Sequence, residues 1–426
     1  MARAGGIGSS GRYWHGREGV GSRCSTATVQ GAHWSESKVR TRQRRRTAVI
    51  DTSARVAVIG GGIAGACVAF GLASRDVNVT IFDEAMAGQA TAASAGIIAP
   101  WVSTSTGAYY ETYAAGGSYY PEFLDRLSAL GIPELGYRRS GALVVNEDPT
   151  ALAEAARLIR ERAAGAGDVA GEVHDMDSAN LREIFPPIAP DMTGLFISGG
   201  GRVDGRTLRD AILTGARTYG ARLVHDSART ITSEHGRSTN PSGTWKVGTT
   251  SAVEDFDAVV IAGGARSSEI LEHLGHTVSI TPQRGQLIHL SLHGANTSPW
   301  PTVHPLDHHY ITPFDGGRVV IGATREDDVG FDVRTTAAGQ KQVLDDALRI
   351  APGLAEATIL ETRVGVRPMS TRPGGLPYAG AVPGAPGLWL ASGFGAGGLT
   401  MGPLIGEGLA AAILGQEAPQ IAHLGL

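Results

Sequence analysis

Between residues 55 and 84, two short apolar runs flank a cluster of glycines. Val56-Ala57-Val58-Ile59 has no polar interruption, the pattern of a strand covered on both faces. Gly60-Gly61-Gly62-Ile63-Ala64-Gly65 follows; residues 66–73 then read as a helix of small side chains, and residues 77–82 as a second buried strand closed by Asp83-Glu84. Further along, 152–162 predicts a helix. Residues 204–219 predict an amphipathic one, with Leu208, Ile212 and Ala216 four apart and Gly220 as its C-cap. Candidate strands lie at 222–225, 228–232 and 244–248, around a polar turn at Asn240-Pro241-Ser242-Gly243. An apolar strand at 257–265 ends in glycines, and Asp315-Gly316-Gly317 turns into a strand at 319–321. A second glycine turn, Gly393 to Thr400, enters an apolar helix at 404–414.

Composition narrows the class. With 426 residues, two or three domains are expected, and 42% hydrophobic against 18% charged residues supports a large core. Residues 1–54 differ from the rest: nine arginines and Lys38 face three acids, for a net charge of +7, while the whole chain carries −4. No apolar stretch of signal-peptide type follows Arg40 to Arg46, so the expectation is a disordered leader, with a basic arm for acidic partners as the alternative. The acidic remainder argues against nucleic acid as partner. Residues 388–414 are the most apolar stretch, but glycines, Pro403 and Glu407 interrupt it, so no transmembrane segment is expected. A soluble, cytoplasmic protein follows as the expectation.

The first glycine cluster carries chemistry. Gly60 permits a tight turn, Gly62 lets a pyrophosphate approach the backbone, and Gly65 allows the helix to pack closely on the strand. The helix N-terminus offers N–H groups and partial positive charge to a diphosphate. Asp83 stands where an acid accepts hydrogen bonds from a ribose, which favours free hydroxyls over a 2′-phosphate. FAD and NAD are both open at this point. The loop at 88–98, small and polar without periodicity, and the second glycine turn add two more close approaches to one ligand. Three separated glycine-rich segments suit extended FAD better than NAD.

In these motifs, together with PQRGQL at 282–287, HHYITP at 308–313, VVIGATRE at 319–326, VGVRP at 364–368 and ASGFGAGGLTMGP at 391–403, the chain resembles the D-amino-acid oxidase (DAO) superfamily of FAD-dependent oxidoreductases, within it the glycine oxidase and D-amino-acid dehydrogenase-like branch. The resemblance spans roughly residues 55–415. It implies an α/β chain, α+β overall: a Rossmann-like FAD-binding domain at 55–101, 191–273 and 362–415, an inserted mixed-sheet substrate domain at 102–190 and 274–361, and a tail at 416–426. The cofactor residues it implies are Gly60, Gly62, Ile63, Ala64, Gly65, Asp83 and Glu84 from the first motif. Thr91, Ala95, Gly96 and Ile97 come from the loop, and Arg229, Ala262, Gly263 and Gly264 from the middle of the chain. Gly395, Ala396, Gly397, Gly398, Leu399 and Thr400 complete the set. Arg367 and Tyr310 take the places of the family's carboxylate-binding arginine and tyrosine.

The implied reaction removes a hydride from the carbon bearing a neutral amine, delivers it to flavin N5, and leaves an imine that hydrolyses to a keto acid. The implied substrate is a D-amino acid or a glycine-like amine, and the flavin, held without a covalent bond, carries the chemistry with no catalytic side chain. The electron acceptor would be oxygen or a quinone, the latter placing the protein peripherally at a membrane. A homo-oligomer is compatible with the sequence. An enzyme of N-substituted amino acids such as sarcosine is the alternative; a flavoprotein whose chemistry has lapsed into a binding module is another. Two departures stand out: Ala396 occupies a position where glycine oxidases often carry a second arginine, and residues 369–375 replace a shorter loop with Asp-Gly. His304, His308 and His309 lie near Asp307 without metal-ligand spacing, so no metal is expected. Cys67 is expected to fill packing space, and Arg325, followed by Glu326, Asp327 and Asp328, to join a solvated charge cluster.

Overall fold

The computed structural model describes residues 49–233 and 244–426. The leading basic run and the turn at 240–243 lie outside these residues. Arg55–Ile59 pairs in parallel with Asn78–Phe82 on one side and Ala258–Ile261 on the other, as expected of strands with no polar face. They form the centre of a six-stranded sheet, in the order Tyr378–Ala381, Leu388–Ser392, Ala258–Ile261, Arg55–Ile59, Asn78–Phe82, Arg222–Val224. Only its Tyr378–Ala381 edge runs antiparallel.

The helix Ile63–Ala73 begins three residues before the expected start, directly at the glycine turn, and is buried almost all round. It packs against Gly205–Thr218 and Gly398–Ile413. Glycines set the second of these contacts: a Cβ on Gly402 would stand 2.9 Å from Ile63, one on Gly406 2.5 Å from the Cβ of Cys67, and one on Gly71 2.8 Å from Ala410. The matching steps of four show that the two helices run parallel, so both N-termini open at the same end of the sheet. Cys67 is buried in this seam, as its place in the sequence suggested.

Gly398–Ile413 likewise starts earlier than its apolar run, with the glycine turn forming its first residues. Pro403 lies inside it and has no N–H for the Leu399 carbonyl one turn back. The Tyr120 hydroxyl donates to that carbonyl instead, at 2.9 Å. Tyr120 belongs to the long helix Gly107–Ser128, which lies in the stretch expected for the substrate side. Its Tyr120, Phe123 and Leu127 nevertheless pack in the core beneath the parallel sheet.

A second, mixed sheet has eight strands in the order Thr358–Ser370, Ile280–Ser291, Arg318–Gly322, Tyr310–Pro313, Thr302–Pro305, Ala142–Asn146, Thr193–Ile197, Val173–Met176. Thr193–Ile197 thus pairs here although it follows the expected break at 190, and Thr358–Ser370 runs unbroken across the expected break at 361. Leu143, Ile288, Ile311, Ile321 and Val343 form its core with the helix Ala337–Ile350. Three short antiparallel strands, Thr230–Ser233, Trp245–Gly248 and Val253–Phe256, make a separate small sheet. At the chain's start, residues 49–54 meet the body: the Ile50 amide donates to the Ile413 carbonyl at 3.2 Å. Among the described residues no helix is long and apolar enough to cross a membrane.

Candidate cofactor and substrate site

One cavity of about 1020 Å³ lies between the two large sheets and gathers the glycine segments named above. Gly60 enters the first turn with φ +103°, where a side chain would be strained, and a Cβ there would sit 2.5 Å from the Ala262 carbonyl oxygen. A Cβ on Gly65 would lie 1.9 Å from the Gly60 oxygen, so Gly65 serves the packing of turn on helix and stands behind the cavity wall. Gly62, in contrast, faces open space apart from the Thr91 hydroxyl. That hydroxyl accepts the Ile63 N–H at 3.0 Å and ties the helix N-terminus to the loop at 88–98.

The loop is pinned at both ends. The Val366 amide donates to Gly88 O at 2.9 Å, and Val203 N donates to Gly96 O at 2.7 Å, with Gly96 at φ +80°. Thr91, Ala95, Gly96 and Ile97 therefore hold their place between the two sheets and line the cavity with Gly60, Gly62, Ile63 and Ala64. Ala262, Gly263 and Gly264 line it from the end of the neighbouring strand, and Gly395, Ala396, Gly397, Gly398 and Leu399 from the C-terminal turn. Thr400 faces away, toward the Ile97 carbonyl. Arg229 is exposed outside the cavity, its backbone N–H bound to Gly248 O, and Asp226, Ser227 and Ala228 line the wall in its stead.

Asp83 and Glu84 line one end. Asp83 is buried and already engaged: Gln89 Nε2 donates to it at 2.9 Å, and Arg209 Nη2 forms an ion pair with its other oxygen. Arg209 also donates from Nε to the Gly61 carbonyl at 2.6 Å, so one guanidinium braces the acid and the glycine turn together. Sequence reading passed over Arg209 because it lies 126 residues from Asp83 and its helix was read only for its apolar face.

Arg367, Tyr310 and Arg325 line the cavity elsewhere, with Tyr109 and Tyr113 from the helix Gly107–Ser128. Arg367 Nη1 donates to Gln283 Oε1 and to the Thr324 carbonyl, both at 3.1 Å. Gln283 is oriented in turn by donating from Nε2 to Asp327 at 3.0 Å. Burial raises the Tyr310 phenol above its ordinary pKa, and the Arg367 charge beside it opposes the rise.

The expected charge cluster at Arg325 does not form. Thr324 and Glu326 face back to the strand Ile280–Ser291: Thr324 N donates to Gln286 O, and Glu326 pairs with Arg284 at 2.5 Å. Arg325, between them on an extended chain, is thereby turned the other way and lines the cavity two residues beyond Ala323. The alternation was visible in the sequence, but the run of acids outweighed it.

His304, His308 and His309 also line the cavity. His304 bonds the Thr302 hydroxyl at 2.9 Å, and burial lowers its pKa to about 4, leaving it neutral near pH 7. Among the described residues no group of three or more His, Cys, Asp or Glu is placed to hold a metal ion.

A long dinucleotide needs close backbone approach at several points, a helix N-terminus for its pyrophosphate and a length of cavity to lie in; the glycine cradle, the helix N-terminus at Ile63 and the lining residues meet each need. Comparison with known proteins agrees. The family described as FAD dependent oxidoreductase, DAO, matches residues 55–412. The uncharacterised oxidoreductase YurR of Bacillus subtilis is 38% identical over 84% of this chain and 95% of its own. The glycine oxidase of Pseudomonas putida is 29% identical over 82% of this chain and 92% of its own. Among solved structures, iminodiacetate oxidase from Chelativorans sp. BNC1 superposes with a TM-score of 0.80 at 39% identity, covering 87% of this chain and 98% of that one. Glycine oxidase from Geobacillus kaustophilus gives 0.75 at 26% identity, over 88% and 99% of the two chains. The cradle, the mixed sheet above it and these relatives together make this chain a member of the DAO family of FAD-dependent oxidoreductases.

Proposed function

We propose that this FAD-dependent enzyme oxidises the carbon–nitrogen bond of a small amino acid or amine, a D-amino acid or a glycine-like compound. One observation carries the reading: Arg367 faces the cavity with its guanidinium held by neutral acceptors alone, and Tyr310 stands beside it. Paired N–H donors on a planar cation match a carboxylate, and the Asp327–Gln283–Arg367 chain holds that cation in one orientation before substrate arrives. Arg367 and Tyr310 would grip the carboxylate, while Leu287, Tyr109 and Tyr113 line the same space and keep water from the reacting carbon. Gly60, Gly62, the helix N-terminus at Ile63 and the turn at Gly395–Leu399 would hold FAD, which when bound supplies the acceptor for two electrons and a hydrogen. The substrate is left as an imine, which water converts to a carbonyl compound and an amine. The glycine oxidases among its relatives support this reading. An N-substituted amino acid is the second reading, supported by the similarity to iminodiacetate oxidase.

Anaerobic mixing of the yellow holoenzyme with a panel of amino acids and N-alkyl amino acids tests the proposal through bleaching of the flavin band. Arg367→Ala should raise the substrate concentration for half-maximal bleaching about a hundredfold while FAD stays bound. Loss of FAD in that variant would overturn the role given to Arg367. Absence of bleaching across the whole panel would favour a binding module.

A further inference from the structure

Tyr109, Tyr113, Gly116 and Tyr120 follow one another at steps of four, three and four along the helix Gly107–Ser128, so they share one face. All four meet the C-terminal glycine turn. The Tyr109 hydroxyl donates to the Phe394 carbonyl at 3.4 Å. Tyr113 stands beside it, ring centroids 6.1 Å apart, with its phenol bonded to the Thr400 side chain. A Cβ on Gly116 would lie 2.6 Å from the Thr400 carbonyl oxygen, and the Tyr120 hydroxyl donates to the Leu399 carbonyl at 2.9 Å. The turn has room for these rings because Gly397 lacks a side chain: a Cβ there would stand 2.8 Å from the Tyr109 oxygen and 3.3 Å from the Tyr113 ring.

The helix is itself fixed from other sides. Arg162 donates to the carbonyls of Ser103 and Ser105 just before it, and its guanidinium lies 3.6 Å from the centre of the Tyr110 ring. Phe123 and Leu127 anchor its far end in the core. Across the turn, the Gly395 N–H donates to the Pro368 carbonyl at 2.9 Å, and the Gly397 N–H to Phe394 O within the turn. Among the described residues, the N–H groups of Ala396, Gly398 and Leu399 have no backbone acceptor. The tyrosines thus occupy carbonyls while donors stay open. Open N–H groups suit a phosphate or an electron-rich ring edge, and a carbonyl turned to the same surface would repel it.

We infer that Tyr109 and Tyr120 are positioning residues for FAD: by holding the carbonyls of Phe394 and Leu399 they keep the turn's N–H groups available to the flavin end of the cofactor, while Tyr113 packs the turn onto the helix. This rests on the proposed placement of FAD against Gly395–Leu399 and names the residues that keep that turn ready. Without the phenol donors, a peptide of the turn is free to rotate and offer its carbonyl instead. The fraction of protein competent to take FAD then falls, and the apparent affinity falls with it.

The test uses the full chain, stripped of FAD and titrated calorimetrically with FAD and with ADP. ADP is the part of FAD that the first glycine turn and Asp83 would hold, so it does not reach the C-terminal turn. Tyr109→Phe should weaken FAD binding about threefold, and Tyr109→Phe combined with Tyr120→Phe at least about tenfold. ADP affinity should change by less than about twofold in both. The flavin absorption band of the reconstituted variants should move toward that of free FAD.

Equal weakening of FAD and ADP would overturn the inference, since the phenols would then support the fold at large. Unchanged FAD affinity in both variants would overturn it too. Should the double variant fail to fold, Tyr109→Phe alone decides by the same split between the two ligands. Ala396→Phe separates the inference from the reading beneath it. Ala396 lines the cavity, so a ring there should block FAD and spare ADP. If that variant loses FAD and the tyrosine variants do not, the turn holds FAD and the inference fails. If it keeps full FAD affinity, the placement of FAD against the turn is wrong, and the inference falls with it.

Discussion

The guanidinium of Arg367 lies directly against the Cα of Gly285: a Cβ built on Gly285 would stand 2.4 Å from Arg367 Nη2 and 2.6 Å from Cζ. The two residues occupy neighbouring strands, where Gly285 is opposite Gly365 and Gln283 opposite Arg367. A missing side chain on one strand thus makes the seat for a charged group on the next.

Gly285→Ala should therefore separate binding from folding. The obstructed atoms are the far end of a flexible side chain, so the arginine moves and the sheet stays. An added methyl also removes freedom from the unfolded chain, worth about 0.4–1 kcal/mol in favour of folding where the backbone tolerates it. The expected outcome is an unchanged or slightly higher melting temperature, normal flavin content, and a KM raised at least about tenfold, measured by steady-state turnover. A variant that melts early with normal KM would contradict the seat.

Gly65→Ala should behave in the opposite way. Its Cβ would meet the Gly60 carbonyl oxygen at 1.9 Å, and that obstructing group is backbone rather than a flexible side chain. Overpacking typically costs about 1–3 kcal/mol, at the upper end where the obstruction is backbone, and the turn it displaces is the one proposed to face the pyrophosphate. The expected product is poorly stable and colourless, checked by the ratio of flavin to protein absorbance and by thermal melting.

The Tyr120 hydroxyl stands in for the N–H that Pro403 lacks, so Tyr120→Phe should leave the Leu399 carbonyl without a donor. A buried carbonyl stripped of its partner costs about 1–3 kcal/mol. Adding Pro403→Ala to that variant returns a backbone N–H to the helix, and the pair should recover most of the lost stability. A double-mutant cycle by denaturant unfolding gives the coupling; additive losses would show that hydroxyl and proline act separately.

How much of this was legible depended on distance along the chain. Strand, glycine turn, helix, strand and acid fall within residues 55–84, so each local preference points to the same βαβ unit. The Arg209–Asp83 pair is a product of packing between elements 126 residues apart, and neither residue alone signals it. The helix Gly107–Ser128 was missed for a different reason. Gly116, Gly117 and Pro121 weaken its helical signal. Yet the two glycines are there because a Cβ would lie 2.6 Å from Thr400 O at one and 2.5 Å from Pro100 at the other. Close approach to the C-terminal turn overrode propensity. Arg325 was legible as alternation, but the adjoining acids masked it, because Glu326 turns to Arg284 on the facing strand and Asp327 to Gln283, pairings between strands that the local sequence does not signal.

Acid should weaken the fold from about pH 6.5 downward through three buried histidines. Burial lowers the pKa of His289, His304 and His309 to about 4 each, against 6.5 in the open chain. Below pH 6.5 the unfolded chain binds protons at these three positions that the folded protein refuses, so stability is fully present above that pH and is lost as pH falls toward 4. Each histidine contributes at most about 1.4 kcal/mol per pH unit within the window. Asp315, lowered to about 2 with Arg202 and Arg138 bonded to it, titrates later and does not shape this limb. Melting temperatures from pH 7.5 to 4.5 should decline throughout, with His289→Leu flattening the slope by about one proton. Neither ring nitrogen of His289 has a hydrogen-bond partner, so that substitution removes the titration without breaking a bond. A flat profile from pH 7 to 5 would mean that these imidazoles reach water in the folded state.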